Sequence, residues 1–153
     1  MPVVRNACAD ALLPRASDPK RRRSSARTAC DGCEGRGVPE QIVIHPTCRA
    51  ELVALARQDQ REAVALRHAR RKLALFGSNL GHPHTSAVRG AAGGLRELRP
   101  RAGNSPWRLL YMPGRPIRVL ALAPEAQRNP RGFRRAVEAA RVRLRDQDGS
   151  HAE

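Results

Sequence analysis

Three arginines lie inside two short strand-like runs that a Pro/Gly/Asn loop joins. Residues 95–99 contain Arg96 and Arg99, and residues 107–111 contain Arg108. An arginine inside a strand is costly unless its guanidinium group stays in water or meets an anion. The pattern therefore indicates a hairpin that binds an anionic partner.

The charge of the whole chain allows such a partner. Its 153 residues include 29 Lys and Arg against 14 Asp and Glu, which gives a net charge of +15. This charge favours a polyanion through counterion release and suits an acidic protein equally well, although a GC-rich genome would supply arginine codons without any partner. Aromatic residues make up only 3% of the chain, which argues against a base-stacking platform of the RRM or OB type. Binding through phosphates fits the composition better.

The elements that would position the hairpin begin near Gln41. Residues 41–44 form a short β-branched run typical of a strand, and Thr47 can cap the helix that follows. A second helix is predicted from about Gln60 to Phe76, where apolar residues recur at steps of three and four. Gly77 would end that helix, because a left-handed residue is favoured there.

The second half of the predicted domain contains three strands and a helix. Residues 81–94 are rich in turn formers and are predicted to be a loop, whereas residues 95–99, 107–111 and 117–122 are strands with short links. Asn129 can cap a last helix whose first residue is Pro130. The order of strand, two helices, three-stranded antiparallel meander and C-terminal helix indicates an α+β fold whose helices cover one face of the meander.

The alternation of β-strand side chains predicts which residues of the second run face the core. Trp107 and Tyr111 lie on the same side as Leu109, so we expect both to be buried under the helices. Arg108 would then lie on the opposite, open face of the sheet.

Domain boundaries follow from composition. Residues 1–38 carry little periodicity and are interpreted as a disordered basic extension, or as upstream sequence translated from an overcalled start. Residues 39–148 form the predicted domain, and residues 149–153 a disordered tail. No apolar stretch is long enough to cross a bilayer and no secretory signal is visible, so a cytoplasmic location is expected.

Cys30 and Cys33 belong to a CxxCxGxG string that is similar to the zinc knuckle of DnaJ-type modules. Structural zinc needs four ligands, and Cys8 and Cys48 would have to complete the site from an unstructured segment and a helix start. We therefore favour an inert or redox-sensitive cysteine pair over zinc, and we expect no metal and no cofactor.

Residues 41–146 resemble the toxins of the RelE/ParE superfamily, closest to the phage-derived HigB-like branch. The resemblance rests on the order of elements and on local strings, namely the strand at 42–45, HPHTSAVRG at 82–90, LRELR at 95–99, WRLLY at 107–111 and QRNP at 127–130. It implies a RelE-like fold and a type II toxin that cleaves mRNA on the ribosome without a metal. It also implies a cognate antitoxin, often a helix-turn-helix protein that is encoded adjacently.

The resemblance also implies site residues. The phosphate-binding arginine of the family corresponds to Arg108, its strand-two arginine to Arg99, and its basic position before the last helix to Arg128; Glu97 and Tyr111 are further catalytic candidates. Attack of an RNA 2′-hydroxyl on the adjacent phosphate needs a proton acceptor, a proton donor and cations. Other basic and histidine side chains are expected to bind RNA: Arg89, Arg96, Arg101, Arg118, His82 and His84.

Three departures from the family pattern leave other functions open. Glu97 stands where RelE-type members place a lysine, Phe133 where they carry a tyrosine, and Pro124-Glu125 where HigB-like relatives show paired lysines. One alternative is a non-catalytic protein of the same fold that binds an antitoxin-like partner or nucleic acid. The other is a ParE-like gyrase inhibitor. Glu97 and Arg99 could also simply pair with charges on neighbouring strands.

Overall fold

The structure, a computed structural model, describes residues 38–91 and 93–149. In chain order they form β1 (Ile42–Ile44), α1 (Pro46–Gln58), α2 (Gln60–Phe76), β2 (Thr85–Ala87), β3 (Arg96–Leu98), β4 (Trp107–Met112), β5 (Ile117–Pro124) and α3 (Pro130–Gly149). The predicted α+β class is confirmed. The predicted tails, apart from residues 38 and 149, lie outside the described residues, as do Cys8, Cys30 and Cys33.

The five strands form one mixed sheet in the order β1-β5-β4-β3-β2. β3, β4 and β5 form the predicted antiparallel meander, and β1 runs parallel to β5 at one edge. The prediction of a loop over residues 81–94 is wrong in part, because β2 pairs with β3 there, with Thr85 opposite Leu98. The sequence Thr-Ser-Ala carries little strand preference of its own, so this strand depends on its neighbour.

Helices pack on both faces of the sheet. Leu66 of α2 belongs to a core cluster with Leu109 of β4, whereas Val137 of α3 belongs to a second cluster with Leu110 of β4. The prediction that the helices cover one face is therefore wrong. Residues 109–112 are all buried, as expected of a strand with both faces covered.

The helix ends follow local hydrogen bonding. His45 Nδ1 accepts from the backbone N–H of Thr47 at 3.2 Å, so His45 is the N-cap of α1 and the prediction of Thr47 is wrong. Gly77, at φ +50°, ends α2 as predicted. Asn129 Oδ1 accepts from the N–H of Gly132 at 2.8 Å, which confirms Asn129 as the cap of α3.

None of the helices within the described ranges is both long and apolar enough to span a membrane. Cys48 is a buried thiol at the start of α1, within the core cluster beneath α1 and α2.

Candidate functional site

Four of the five predicted catalytic residues form a group centred on Arg108, together with Glu125, which follows β5. We call this group the arginine cluster: Glu97, Arg99, Arg108, Glu125 and Arg128. Arg108 Nη2 lies 2.6 Å from Glu125 Oε1, and Arg128 Nε lies 3.0 Å from Glu125 Oε2. Arg99 Nε lies 3.7 Å from Glu97 Oε1. Because the charges of Glu97, Arg99 and Arg128 all act on Arg108, the two ion-paired sets form one electrostatic group.

Arg108 is enclosed by the chain, with 1% of the residue exposed. Its Nη1 donates to the carbonyl oxygens of Ser105 and, at 2.9 Å, of Trp107, while Nη2 donates to Gly103 O at 3.1 Å and to Glu125. Burial lowers the pKa of Arg108, and nearby carboxylates, above all that of Glu125, raise it. The prediction that Arg108 lies on an open face is wrong, because loop carbonyl groups turn onto its guanidinium. Direct binding of a phosphate by Arg108 stays a prediction.

Glu125 joins this buried arginine to an exposed one, since Arg128 has 69% of its side chain exposed. The backbone fixes Glu125 on both sides: its N–H donates to Pro106 O at 2.8 Å, and its carbonyl accepts from the N–H of Asn129 at 2.9 Å. From the sequence, Glu125 is visible only as a departure from the family pattern. Its spacing of three residues from Arg128 and its position at the end of a hairpin strand are the signals that could have identified it.

Arg99 keeps donors available near the surface, with its side chain 26% exposed. Its Nε is buried and has no hydrogen-bond partner in the described part of the chain, and the oxygen of Glu97 nearest to it already accepts from Ser86 Oγ at 2.7 Å, so the accessible part of the side chain is the rest of its guanidinium group. The guanidinium of Arg99 lies against Gly103, where a Cβ would come within 3.1 Å of Nη2. Arg99 and Arg128 are therefore the cations of the arginine cluster that an external anion can reach.

The fifth catalytic candidate lies elsewhere. Tyr111 is buried in the core cluster beneath α1 and α2, on the opposite face of the sheet from Glu97 and Leu110. Its prediction as a core residue is confirmed. The arginine cluster consequently offers guanidinium groups and carboxylates, which can bind a phosphate diester and accept a proton, but no phenol.

The six residues predicted to bind RNA are spread over the molecule. Arg89 and His82 are exposed on turns, and His84 is half-buried in the turn that precedes β2. The other three pair within the chain: Arg96 Nη2 with Thr85 Oγ1 at 3.1 Å, Arg101 Nη1 with Glu62 Oε1 at 2.6 Å, and Arg118 with Asp148. Only His84 and Arg101 line the same groove as Arg99 of the arginine cluster.

A groove of about 750 Å³ lies between α2 and the adjoining ends of β2 and β3. We call it the α2 groove. Its floor is formed by apolar side chains, which include Ala69, Leu80 and Leu98, all buried. His84 and Arg99 line the groove from the sheet side, and His68 lines it from α2. His68 was not predicted to take part in function, because a single histidine on a helix gives no local signal.

Comparison with known families matches part of the chain. The model of the family described as "Phage derived protein Gp49-like (DUF891)" matches residues 51–122, from α1 into β5. The match includes Glu97, Arg99 and Arg108, and ends before Glu125 and Arg128. No curated protein and no solved structure shows significant similarity to the chain. The Gp49-like family belongs to the RelE-like toxin group, so the matched segment is similar to a phage-derived toxin and is consistent with the toxin of a toxin–antitoxin system.

Proposed function

We propose that this chain is the toxin of a type II toxin–antitoxin system, of the HigB-like branch, and that it cleaves ribosome-bound mRNA without a metal ion. The observation that carries the proposal is the arginine cluster, in which the partly exposed Arg99 and the exposed Arg128 lie beside the carboxylates of Glu97 and Glu125. The match to a family of the RelE-like toxin group supports the same class of function.

The proposed reaction is attack of an RNA 2′-oxygen on the adjacent phosphorus. Arg99 and Arg128 bind the non-bridging oxygens and stabilise the charge that develops there. Glu97 accepts the proton of the 2′-hydroxyl, the bond from phosphorus to the 5′-oxygen breaks, and water protonates the leaving oxygen. The products are a 2′,3′-cyclic phosphate and a 5′-hydroxyl end.

Arg108 acts in this proposal as a positioning residue. Its contacts with three backbone carbonyls and Glu125 hold that carboxylate in place, and Glu125 in turn orients Arg128. The exposed guanidinium group of Arg128 is thereby held near Arg108, on which the charge of Glu97 also acts.

Binding without cleavage is the second candidate function, and the composition of the arginine cluster favours it. Within the described residues, no histidine, lysine or tyrosine belongs to the cluster, so the cluster itself offers no side chain of these types to protonate the leaving group. Phe133, at the position where RelE-type relatives carry tyrosine, packs against the core cluster beneath α3. A protein of this kind would bind nucleic acid, an antitoxin-like partner or gyrase.

The proposed partner is an antitoxin, of the helix-turn-helix type and encoded adjacently. The net charge of +15 favours an acidic binding segment. Co-expression with the adjacent gene product should give a stable complex and relieve growth arrest. Toxicity that no neighbouring gene relieves would contradict the two-component proposal.

The decisive experiment measures cleavage of mRNA on purified programmed ribosomes. Arg99→Ala and Arg128→Ala should each lower the cleavage rate by about 10²–10³-fold, the scale for removing one donor to a developing oxyanion, and Glu97→Gln should lower it by about 10²–10⁴-fold. The matched control is Arg57→Ala, which removes an exposed arginine from the last turn of α1. Circular dichroism should show that all four variants remain folded.

The outcomes separate the candidate functions. Cleavage that survives all three cluster substitutions would place the active site elsewhere. RNA binding without cleavage in the wild type, lost in Arg99→Ala, would leave the binding function. Inhibition of DNA supercoiling by gyrase, with no effect on RNA, would identify the ParE-like alternative.

A further inference from the structure

The α2 groove carries positive charge that the fold leaves unpaired. Cationic side chains and two imidazoles line it: Arg61, His68, Lys72, His84, Arg99 and Arg101. No carboxylate is among the described residues that line it. Arg101 pairs with Glu62 from outside the groove, but the side chains of Arg61, His68, Lys72 and His84 make no hydrogen bond or ion pair in the parts of the chain that the structure describes.

The shape and chemistry of the α2 groove fit a nucleotide. Its volume of about 750 Å³ lies in the range of small-ligand sites, roughly 300–1,000 Å³. Its apolar floor suits the face of a base, and its cations suit phosphates. Unstacked RNA bases stack on histidine rings and guanidinium planes as well as on larger aromatic side chains, so the imidazoles of His68 and His84 each offer a flat surface to a base in the groove.

We propose that the α2 groove binds one or two nucleotides of single-stranded RNA. The bases lie against Leu98 and the imidazoles of His68 and His84, and the phosphates meet Arg61 and Lys72. The proposal rests on the proposed function, which identifies the ligand as RNA. The nucleotides bound in the groove are those next to the cleaved phosphate.

Arg99 connects the two sites. It lines the α2 groove and also belongs to the arginine cluster, and its backbone N–H donates to His84 O at 2.7 Å. An RNA strand whose phosphate binds Arg99 therefore has its neighbouring nucleotide at the mouth of the groove. An acidic peptide helix would match the charge of the groove, but its Asp and Glu side chains carry no flat ring to stack on the imidazoles.

The test measures binding separately from cleavage. Fluorescence anisotropy of a short labelled 2′-O-methyl RNA reports affinity while the missing 2′-hydroxyl prevents reaction. His68→Ala should raise Kd by about 5- to 100-fold, the range for losing one stacked base, whereas His68→Phe keeps a ring and should stay within about threefold of the wild type.

Lys72 and Arg71 provide a matched pair on α2. Lys72→Ala should weaken binding. It should also reduce the slope of log Kd against log salt concentration by the amount expected for the loss of about one phosphate contact. Arg71→Ala removes the same charge from the neighbouring exposed position, which does not line the groove, and should change Kd by less than about twofold.

Three results would overturn the groove proposal. The wild type could fail to bind the RNA, or His68→Ala and Lys72→Ala could bind it as tightly as Arg71→Ala does. Those variants could also bind RNA normally and lose the complex with the antitoxin, which would make the groove a protein-docking site. Binding that depends on His68 and Lys72 in a protein that cleaves no RNA would support the groove and refute cleavage.

Discussion

Replacing Arg108 by alanine should destabilise the fold strongly, although the residue is charged and lies in a strand. Its guanidinium donates to the carbonyl oxygens of Gly103, Ser105 and Trp107 and to the carboxylate of Glu125. Alanine removes every one of these donors and leaves the acceptors in a largely buried space.

The expected loss of unfolding free energy is about 3–5 kcal/mol, the cost of removing one partner of a buried ion pair. Each buried carbonyl left without a donor would add about 1–3 kcal/mol, but water entering the vacated space satisfies part of that need. Because a domain of this size has a total stability of about 5–15 kcal/mol, the loss is a large share of the whole. Arg108→Lys should recover part of it, since lysine keeps the charge but loses the planar fork.

Urea unfolding measures this loss of stability. It can be followed by circular dichroism and by the fluorescence of Trp107, the one tryptophan of the chain. Arg128→Ala is the matched control, because Arg128 pairs with the same carboxylate but has 69% of its side chain exposed; it should change the free energy of unfolding by less than about 1 kcal/mol. An Arg108→Ala variant within about 1 kcal/mol of the wild type, or an equal loss in Arg128→Ala, would refute the reasoning.

Three further predictions concern other parts of the chain. Burial raises the pKa of Cys48 to about 12 from 9.0. In a variant lacking the other cysteines, the Cys48 thiol should therefore resist iodoacetamide at pH 8 until the protein unfolds. Its contribution to the free energy of unfolding should fall as pH rises from 9 towards 12, because the thiol of the unfolded chain ionises first. Rapid labelling of the folded protein would contradict this prediction. Glu51→Ala removes the acceptor of the Leu122 N–H and of Arg143, so it should lower the free energy of unfolding by about 1–3 kcal/mol. The control is Glu138→Ala, which removes an exposed partner of Arg141 and should have little effect in the same urea titration. Deleting residues 1–38 should leave Tm unchanged if they form a disordered extension, and loss of cooperative unfolding in calorimetry would show that the boundary is wrong.

The helices could be predicted because their signals are local. The apolar steps of α2, with Gly77 after them, and the Asn129-Pro130 start of α3 each lie within a few residues of the element that they define. The strands of the meander carried a similar signal in residues 96–98, 107–112 and 117–124. β2 lacked one, because Thr85–Ala87 becomes a strand only through its pairing with β3.

The sequence of β4 does contain a sign that helices cover both faces of the sheet, but the expected alternation of inward and outward side chains hides it. Leu109, Leu110, Tyr111 and Met112 are consecutive and all buried, and an uninterrupted apolar run indicates a strand that is covered on both faces. The isolated polar residue in this strand, Arg108, made it look half-exposed. The position of α3 on the second face follows from the path of the chain after β5, which no short window of sequence contains.

Arg99 and Arg108 both lie near a carboxylate, but the carboxylate comes from a different element in each case, whereas Arg96 of β3 meets only the hydroxyl of Thr85. The carboxylate near Arg108 belongs to Glu125, which follows the neighbouring strand β5, so the sequence of β4 alone gives no sign of it. For Arg99 the nearest carboxylate oxygen is 3.7 Å away and already bonded to Ser86, so its demand is only partly met within the chain. The arginine that the sequence ranks first therefore stabilises the fold, and the one whose donors remain unpaired is the better candidate for binding RNA.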